Sequence, residues 1–186
     1  MEMIQRENMG KRCIYIMLSD TGTLLTRAIR VYTHQQYNHI SMVLDGDFDQ
    51  IYSFGRVKAN NPFIGGFINE SETKIFDVFD ETTCTILKLD VDDLTYDNIT
   101  ESIRTFKEDR DLYRYNLIGY IGFIINHPIK RQNAYFCSQF VSETLERNGV
   151  KLFNKPPELV LPSDFLECDA MTRIYSGKFS QFAEIV

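Results

Sequence analysis

Among the chemically capable residues of this chain, one cysteine is set apart by the segment it opens. In Cys137-Ser138-Gln139-Phe140-Val141-Ser142-Glu143-Thr144-Leu145-Glu146, the positions Phe140, Val141, Thr144 and Leu145 recur at helical spacing. Cys137 therefore falls in the first turn of an amphipathic helix. A thiol there faces unpaired backbone N–H groups and the positive end of the helix dipole, and both favour the thiolate. Asn148-Gly149 supplies a stop for the same helix. A thiolate acting on a carbonyl needs a proton carrier, and the chain contains three histidines. His34 sits beside Gln35-Gln36 in a polar segment, and His127 precedes Pro128 in a loop. His39 lies in Tyr37-Asn38-His39-Ile40-Ser41-Met42-Val43-Leu44, which reads as a β-strand. A strand fixes the direction of an imidazole better than a pre-proline loop does, so His39 is preferred as the base. The histidine precedes the cysteine in the chain.

The other cysteines read differently. Cys13, Cys84 and Cys168 sit within strand patterns or a C-terminal loop and are expected to fill core. With no C-x-x-C pair and no histidine at zinc-ligand spacing, neither a structural zinc nor a disulfide framework is expected, and the chemistry requires no cofactor. The segment Met1–Asn8 is polar and lacks the apolar stretch of a secretory leader, which points to the cytoplasm. The longest apolar run, Leu117–Ile125, is about half of the ~20 residues that span a bilayer and reads as a buried helix. A net charge of −6 with scattered Lys and Arg argues against general nucleic-acid binding.

The elements that must position Cys137 and His39 emerge from periodicity. At 186 residues and 44% apolar, the chain suits one domain, 1–186, with a sizeable core. Cys13-Ile14-Tyr15-Ile16-Met17-Leu18 reads as a buried first strand. Ser19-Asp20-Thr21-Gly22 then reads as a turn into a short helix carrying Leu24, Leu25, Ala28 and Ile29. After the His39 strand, Asp45-Gly46-Asp47 signals a hairpin whose partner strand begins at Gln50-Ile51-Tyr52-Ser53-Phe54-Gly55. Asn60-Asn61-Pro62 and Gly65-Gly66 mark a loop. Lys74–Phe79 and Cys84–Val91 read as further strands. Residues 95–110 form an amphipathic helix with Ile99, Ile103 and Phe106 on one face. Pro156-Pro157 and Leu161-Pro162-Ser163-Asp164-Phe165 interrupt regular structure, and a last strand lies near Thr172–Tyr175. Strands gathered in the first half and helices in the second predict an α+β fold.

Taken together, Tyr135-Phe136-Cys137-Ser138-Gln139-Phe140-Val141-Ser142-Glu143, Asn38-His39-Ile40-Ser41-Met42-Val43 and Leu161-Pro162-Ser163-Asp164-Phe165 resemble the circularly permuted NlpC-type papain-like family. That group includes the YiiX-like and YaeF-like proteins. The resemblance covers most of the chain, and the His-before-Cys order matches the permuted members. It implies a permuted papain-like fold, a small antiparallel sheet or barrel packed on helices. It also implies a Cys137 nucleophile, a His39 general base and a third polar residue on the strand after the histidine, orienting its ring.

Aligning the hairpin by its turn puts Ser53 at that third position, where relatives more often carry Glu, His, Asn or Gln. Gln50 or Asp49 takes the place if a bulge changes the register. The backbone N–H of Cys137 is a natural oxyanion donor, with Tyr15 or Tyr135 as candidates for a second. The expected chemistry is hydrolysis of an amide in a small-molecule or peptide substrate through an acyl-enzyme. Acyl transfer to or from lipid or thioester, with 61–67 as an apolar cleft mouth, and a non-catalytic binding module are the alternatives on the same fold.

Overall fold

The structure is a computed structural model that describes residues 12–21, 35–44, 46, 48–58, 61–73, 76, 79, 81–116 and 132–183, with backbone only for 56–58 and 61–64. The short helix expected after Gly22, the apolar helix at Leu117–Ile125, His34 and His127 all lie outside the described residues.

Six strands form the main sheet: β1 Arg12–Asp20, β2 His39–Val43, β3 Ile51–Lys58, β4 Asn61–Asn69, β5 Thr83–Val91 and, last in the chain, β8 Thr172–Lys178. They pair antiparallel in the order β4-β3-β2-β1-β5-β8. A parallel pair, β6 Arg114–Tyr115 and β7 Ala134–Tyr135, lies apart from this sheet. Among the described residues the helices are α1 Glu70–Thr73, α2 Asp93–Glu108, α3 Cys137–Arg147, α4 Pro162–Leu166 and α5 Phe179–Ala183. The chain is thus mixed helix and sheet, as the segregation of strand and helix patterns predicts.

β1 explains why its sequence is a continuous apolar run. It is central, between β2 and β5, and both of its faces are covered. Ile14, Ile16 and Leu18 pack with Ile40, Met42, Phe54 and Leu89 against α2 and α3, through Ile99, Ile103, Phe106, Phe140, Val141 and Leu145. The alternate residue Met17 joins Val43, Ile51, Cys84 and Ile86 in a second cluster closed by Phe182 of α5. Side chains alternate across a strand, so one strand serves both clusters.

α2 starts where its cap residue dictates. Asp92 accepts a 2.7 Å bond from the Thr95 N–H, and the helix begins at Asp93, two residues before the expected start. α3 ends on Gly149 at φ +88°, where the Val150 N–H returns to the Leu145 carbonyl at 2.9 Å. A left-handed residue is needed there, and glycine adopts it without strain.

Four expectations need correcting. Ser19 and Asp20 continue β1 instead of opening a turn. The segment 61–67, expected as a loop, belongs to β4, paired with β3 through Phe54↔Phe67 and Gly55↔Gly66. Its glycine pair is there for space: a Cβ on Gly65 would stand 2.7 Å from Tyr115 Cβ, where β6 crosses. Phe76 is helical, where a strand was expected over Lys74–Phe79. Pro162 does not break structure but stands at the first turn of α4, where its missing N–H has no helical partner to lose.

Candidate functional site

The two residues singled out by sequence come together. His39 opens β2 and Cys137 opens α3, and their side chains come close enough for the thiol to act on the imidazole. The Cys137 helix has no side-chain cap at Phe136, so the first-turn N–H groups beside the thiol are not used by a capping side chain. Ser138 anchors this turn by donating to the Val160 carbonyl at 2.6 Å. Val160 is held in turn by the segment after it, where Asp164 accepts from the Leu161 N–H and from Lys155 and caps α4. The Pro-Ser-Asp-Phe stretch thus braces the cysteine turn, with Phe165 fully buried beneath it.

The residue on the far side of His39 is Glu70. Its Oε1 lies 2.6 Å from His39 Nε2 and accepts from Ser41 Oγ, also at 2.6 Å. Glu70 is 1% exposed, so water does not satisfy it. Burial alone would favour neutral His39, but the Glu70 charge, the bond to Glu70 and the neighbouring Cys137 outweigh it. The imidazole pKa rises from 6.5 to about 10. Burial likewise works against an ionised Glu70, yet His39 first and the Ser41 and Ser53 hydroxyls after it hold its pKa below the ordinary 4.5. An ionised carboxylate only accepts hydrogen bonds, so Nε2 carries a proton and Nδ1 is the ring nitrogen left for Cys137.

Ser53, expected in the orienting position, does not hold the ring. It is fully buried, and its Oγ has no hydrogen-bond partner among the described residues. It is nonetheless a neighbour of the site: Ser53 Oγ and His39 Cε1 each lie 3.5 Å from where a Cβ on Gly55 would stand. Its hydroxyl dipole is near enough to favour the Glu70 carboxylate. Neither alternative reaches the histidine. Gln50 is exposed and accepts from Tyr52 at 3.0 Å, and Asp49 is exposed with its carbonyl toward Asn69.

The tyrosines considered as oxyanion donors are also engaged elsewhere. Tyr15 pairs with Val43, four residues along β1 from the Ser19↔His39 pair, and lies beside Cys13. Four residues of strand separate them by about 13 Å. Tyr135 packs into the core with its ring 5.0 Å from that of Phe54 and lies near Arg147 at the far end of α3. The backbone N–H of Cys137 remains the oxyanion donor that the geometry offers.

Glu70 escaped the sequence reading because the orienting residue was sought on the strand after His39. It comes one strand later, 31 residues from His39. β4 ends at Asn69 beside Tyr52, and Glu70 begins the turn of α1 immediately after it. That turn is pinned by Ser71 donating to the Phe48 carbonyl at 3.1 Å and by Asn69 accepting from the Ser71 N–H. The available signal was Asn69-Glu70-Ser71, an Asx-type turn residue before an acidic helix start. No cluster of three metal-ligating side chains occurs among the described residues, and none of their helices is long and apolar enough to cross a membrane.

Compared with protein-family models, with curated proteins and with solved structures, the chain matches none.

Proposed function

We propose that this chain is a cysteine hydrolase that cleaves an amide bond in a small-molecule or peptide substrate through an acyl-enzyme, on a circularly permuted papain-like fold of NlpC type. The observation that carries the reading is the relay in which Cys137 neighbours His39 and the buried Glu70 carboxylate holds the His39 ring at 2.6 Å. Glu is one of the four residues, with His, Asn and Gln, that the resembled family more often carries at its third position. Here it arrives from the end of β4 instead of the strand next to the histidine.

The relay dictates the chemistry. The Cys137 thiolate attacks the carbonyl carbon and forms a C–S bond, while the carbonyl oxygen takes negative charge against the Cys137 N–H. Imidazolium His39 gives its Nδ1 proton to the leaving nitrogen as the C–N bond breaks. Water then attacks the thioester, His39 Nδ1 takes its proton, and the C–S bond breaks to return thiolate, imidazolium and free acid. Glu70 holds the ring in the tautomer that both steps need.

Iodoacetamide tests the reading without knowledge of the substrate. Cys137 is 5% exposed and Cys84 fully buried, whereas Cys13 and Cys168 are partly exposed. Exposure alone ranks Cys13 and Cys168 first. An activated nucleophile ranks Cys137 first at neutral pH, and His39→Ala removes that lead while the fold persists. Labelling that simply tracks exposure would sink the hydrolase reading and favour a binding module.

A further inference from the structure

Glu70 Oε1 carries two donors, and only one of them changes charge during the reaction. His39 Nε2 and Ser41 Oγ both stand 2.6 Å from it. In the acyl-enzyme the histidine has handed its Nδ1 proton to the leaving group and is neutral. The buried carboxylate then loses the cation that offset its desolvation, and a lone buried charge is costly. Were Glu70 to pick up a proton at that stage, its O–H would donate to Nε2. The ring proton would be driven to Nδ1, the atom that must accept a proton from water.

Ser41 cannot lose its charge because it has none. It is fully buried on β2, two residues from His39 on the same side of the strand, and its hydroxyl keeps donating whatever the state of the imidazole. We propose that Ser41 is a positioning residue that keeps Glu70 ionised while His39 is neutral, and so governs hydrolysis of the acyl-enzyme more than its formation. This rests on the hydrolase reading above.

Among the described residues, the groups that bear on Glu70 are His39 and Ser41 of β2 and Ser53 of β3. Those that bear on His39 are Glu70 and Cys137 of α3. Ser53 is the weaker of the two hydroxyls, since it has no hydrogen-bond geometry to the carboxylate. Ser19 is a useful contrast. It faces His39 across the β1–β2 ladder and is buried, but its Oγ has no partner among the described residues.

Acetylation by p-nitrophenyl acetate separates the two steps. The burst of p-nitrophenolate reports formation of the Cys137 thioester, the steady state reports its hydrolysis, and mass spectrometry places the acetyl group. In Ser41→Ala the burst rate stays within about threefold of wild type. The steady-state rate at neutral pH falls about tenfold, and the rising limb of the hydrolysis profile moves up by about one pH unit, the two figures being one effect. Ser41→Thr keeps the hydroxyl and restores both, and Ser19→Ala changes neither. Ser41→Cys keeps the volume with only a weak donor and serves if the alanine variant does not fold. Equal losses in both steps with an unmoved pH profile reduce Ser41 to packing and overturn the proposal, while the hydrolase reading stands. A wild type that forms no acetyl adduct at Cys137 overturns the hydrolase reading and the proposal with it.

Discussion

Two regions of this molecule are largely shielded from water and are held by opposite means. Between the sheet and the helices, Phe54, Phe67, Phe106, Phe140, Tyr113 and Tyr135 form one connected group with ring centroids between 4.8 and 6.1 Å apart. Each ring touches several others, so the energy is spread over many weak, weakly directional contacts. At the start of β2, partly buried His39 and buried Ser41 are joined to buried Glu70 by two 2.6 Å bonds to one oxygen, with buried Ser53 beside them. There the energy sits in few, directional, charged contacts that have no substitutes. Redundant packing makes the first region tolerant of local change, and sparse charge pairing makes the second intolerant of it. Chemistry needs the second kind, because a proton carrier must have one orientation and one protonation partner.

The largest test of that contrast lies in the relay. His39→Ala should slow hydrolysis of p-nitrophenyl acetate by about 10²–10⁴-fold, the range expected when a general acid–base group is lost. An effect below tenfold would remove His39 from the chemistry.

The matching cut in the aromatic region should read out in stability, not turnover. Phe106 packs against Phe54, Phe67, Phe140, Tyr113 and Tyr135. Phe106→Ala should lower unfolding free energy in urea by about 3–5 kcal/mol through lost burial and the cavity left behind. Activity per folded molecule should remain within a few-fold of wild type. A collapse of activity without loss of stability would show that the aromatic cluster positions the relay directly.

pH separates the regions without mutating either. The folded-state pKa of His39 is raised to about 10. Its contribution to stability is therefore fully present below the ordinary value of 6.5 and is lost as pH rises through about 10. Glu70 is lowered below 4.5, so its contribution is present above that value and is lost as pH falls through the lowered one. Urea midpoints measured from acid to alkaline pH should trace both limbs. Glu70→Gln should flatten the acid limb and pull the alkaline limb toward neutrality, while Phe106→Ala lowers the whole curve and leaves its shape alone.

The smallest effect is expected at Ser53, which packs beside the relay without a hydrogen bond. Ser53→Ala should change the p-nitrophenyl acetate rate by no more than about threefold, less than Ser41→Ala does. A larger loss at Ser53 than at Ser41 would mean that Glu70 turns toward β3 in solution.

What the sequence determined by itself is local. Cys137 at a helix start, His39 on a strand, Gly149 as the helix stop and Ile99, Ile103 and Phe106 as an inward face each rest on spacing over a few residues. The structure places all of them so. Where local signals had two readings, contacts from elsewhere in the chain chose. Gly65-Gly66 reads as a loop by composition, yet the crossing of β6 makes it a strand in which only a small residue fits.

The orienting residue was out of reach for the same reason. Glu70 meets His39 because β2 pairs with β3 at Met42↔Tyr52 and β3 with β4 at Tyr52↔Asn69. Two successive strand registers, each set by which faces the sheet can bury, bring the end of β4 level with Met42, three residues along β2 from His39, and the Glu70 side chain at the start of α1 reaches back to the ring. A one-residue slip in either would turn the neighbouring side chains to the other face. No spacing in the sequence encodes that sum. The pairing of the proposed nucleophile and base was written in short-range pattern, and the identity of the third group was decided only when three strands closed into one sheet.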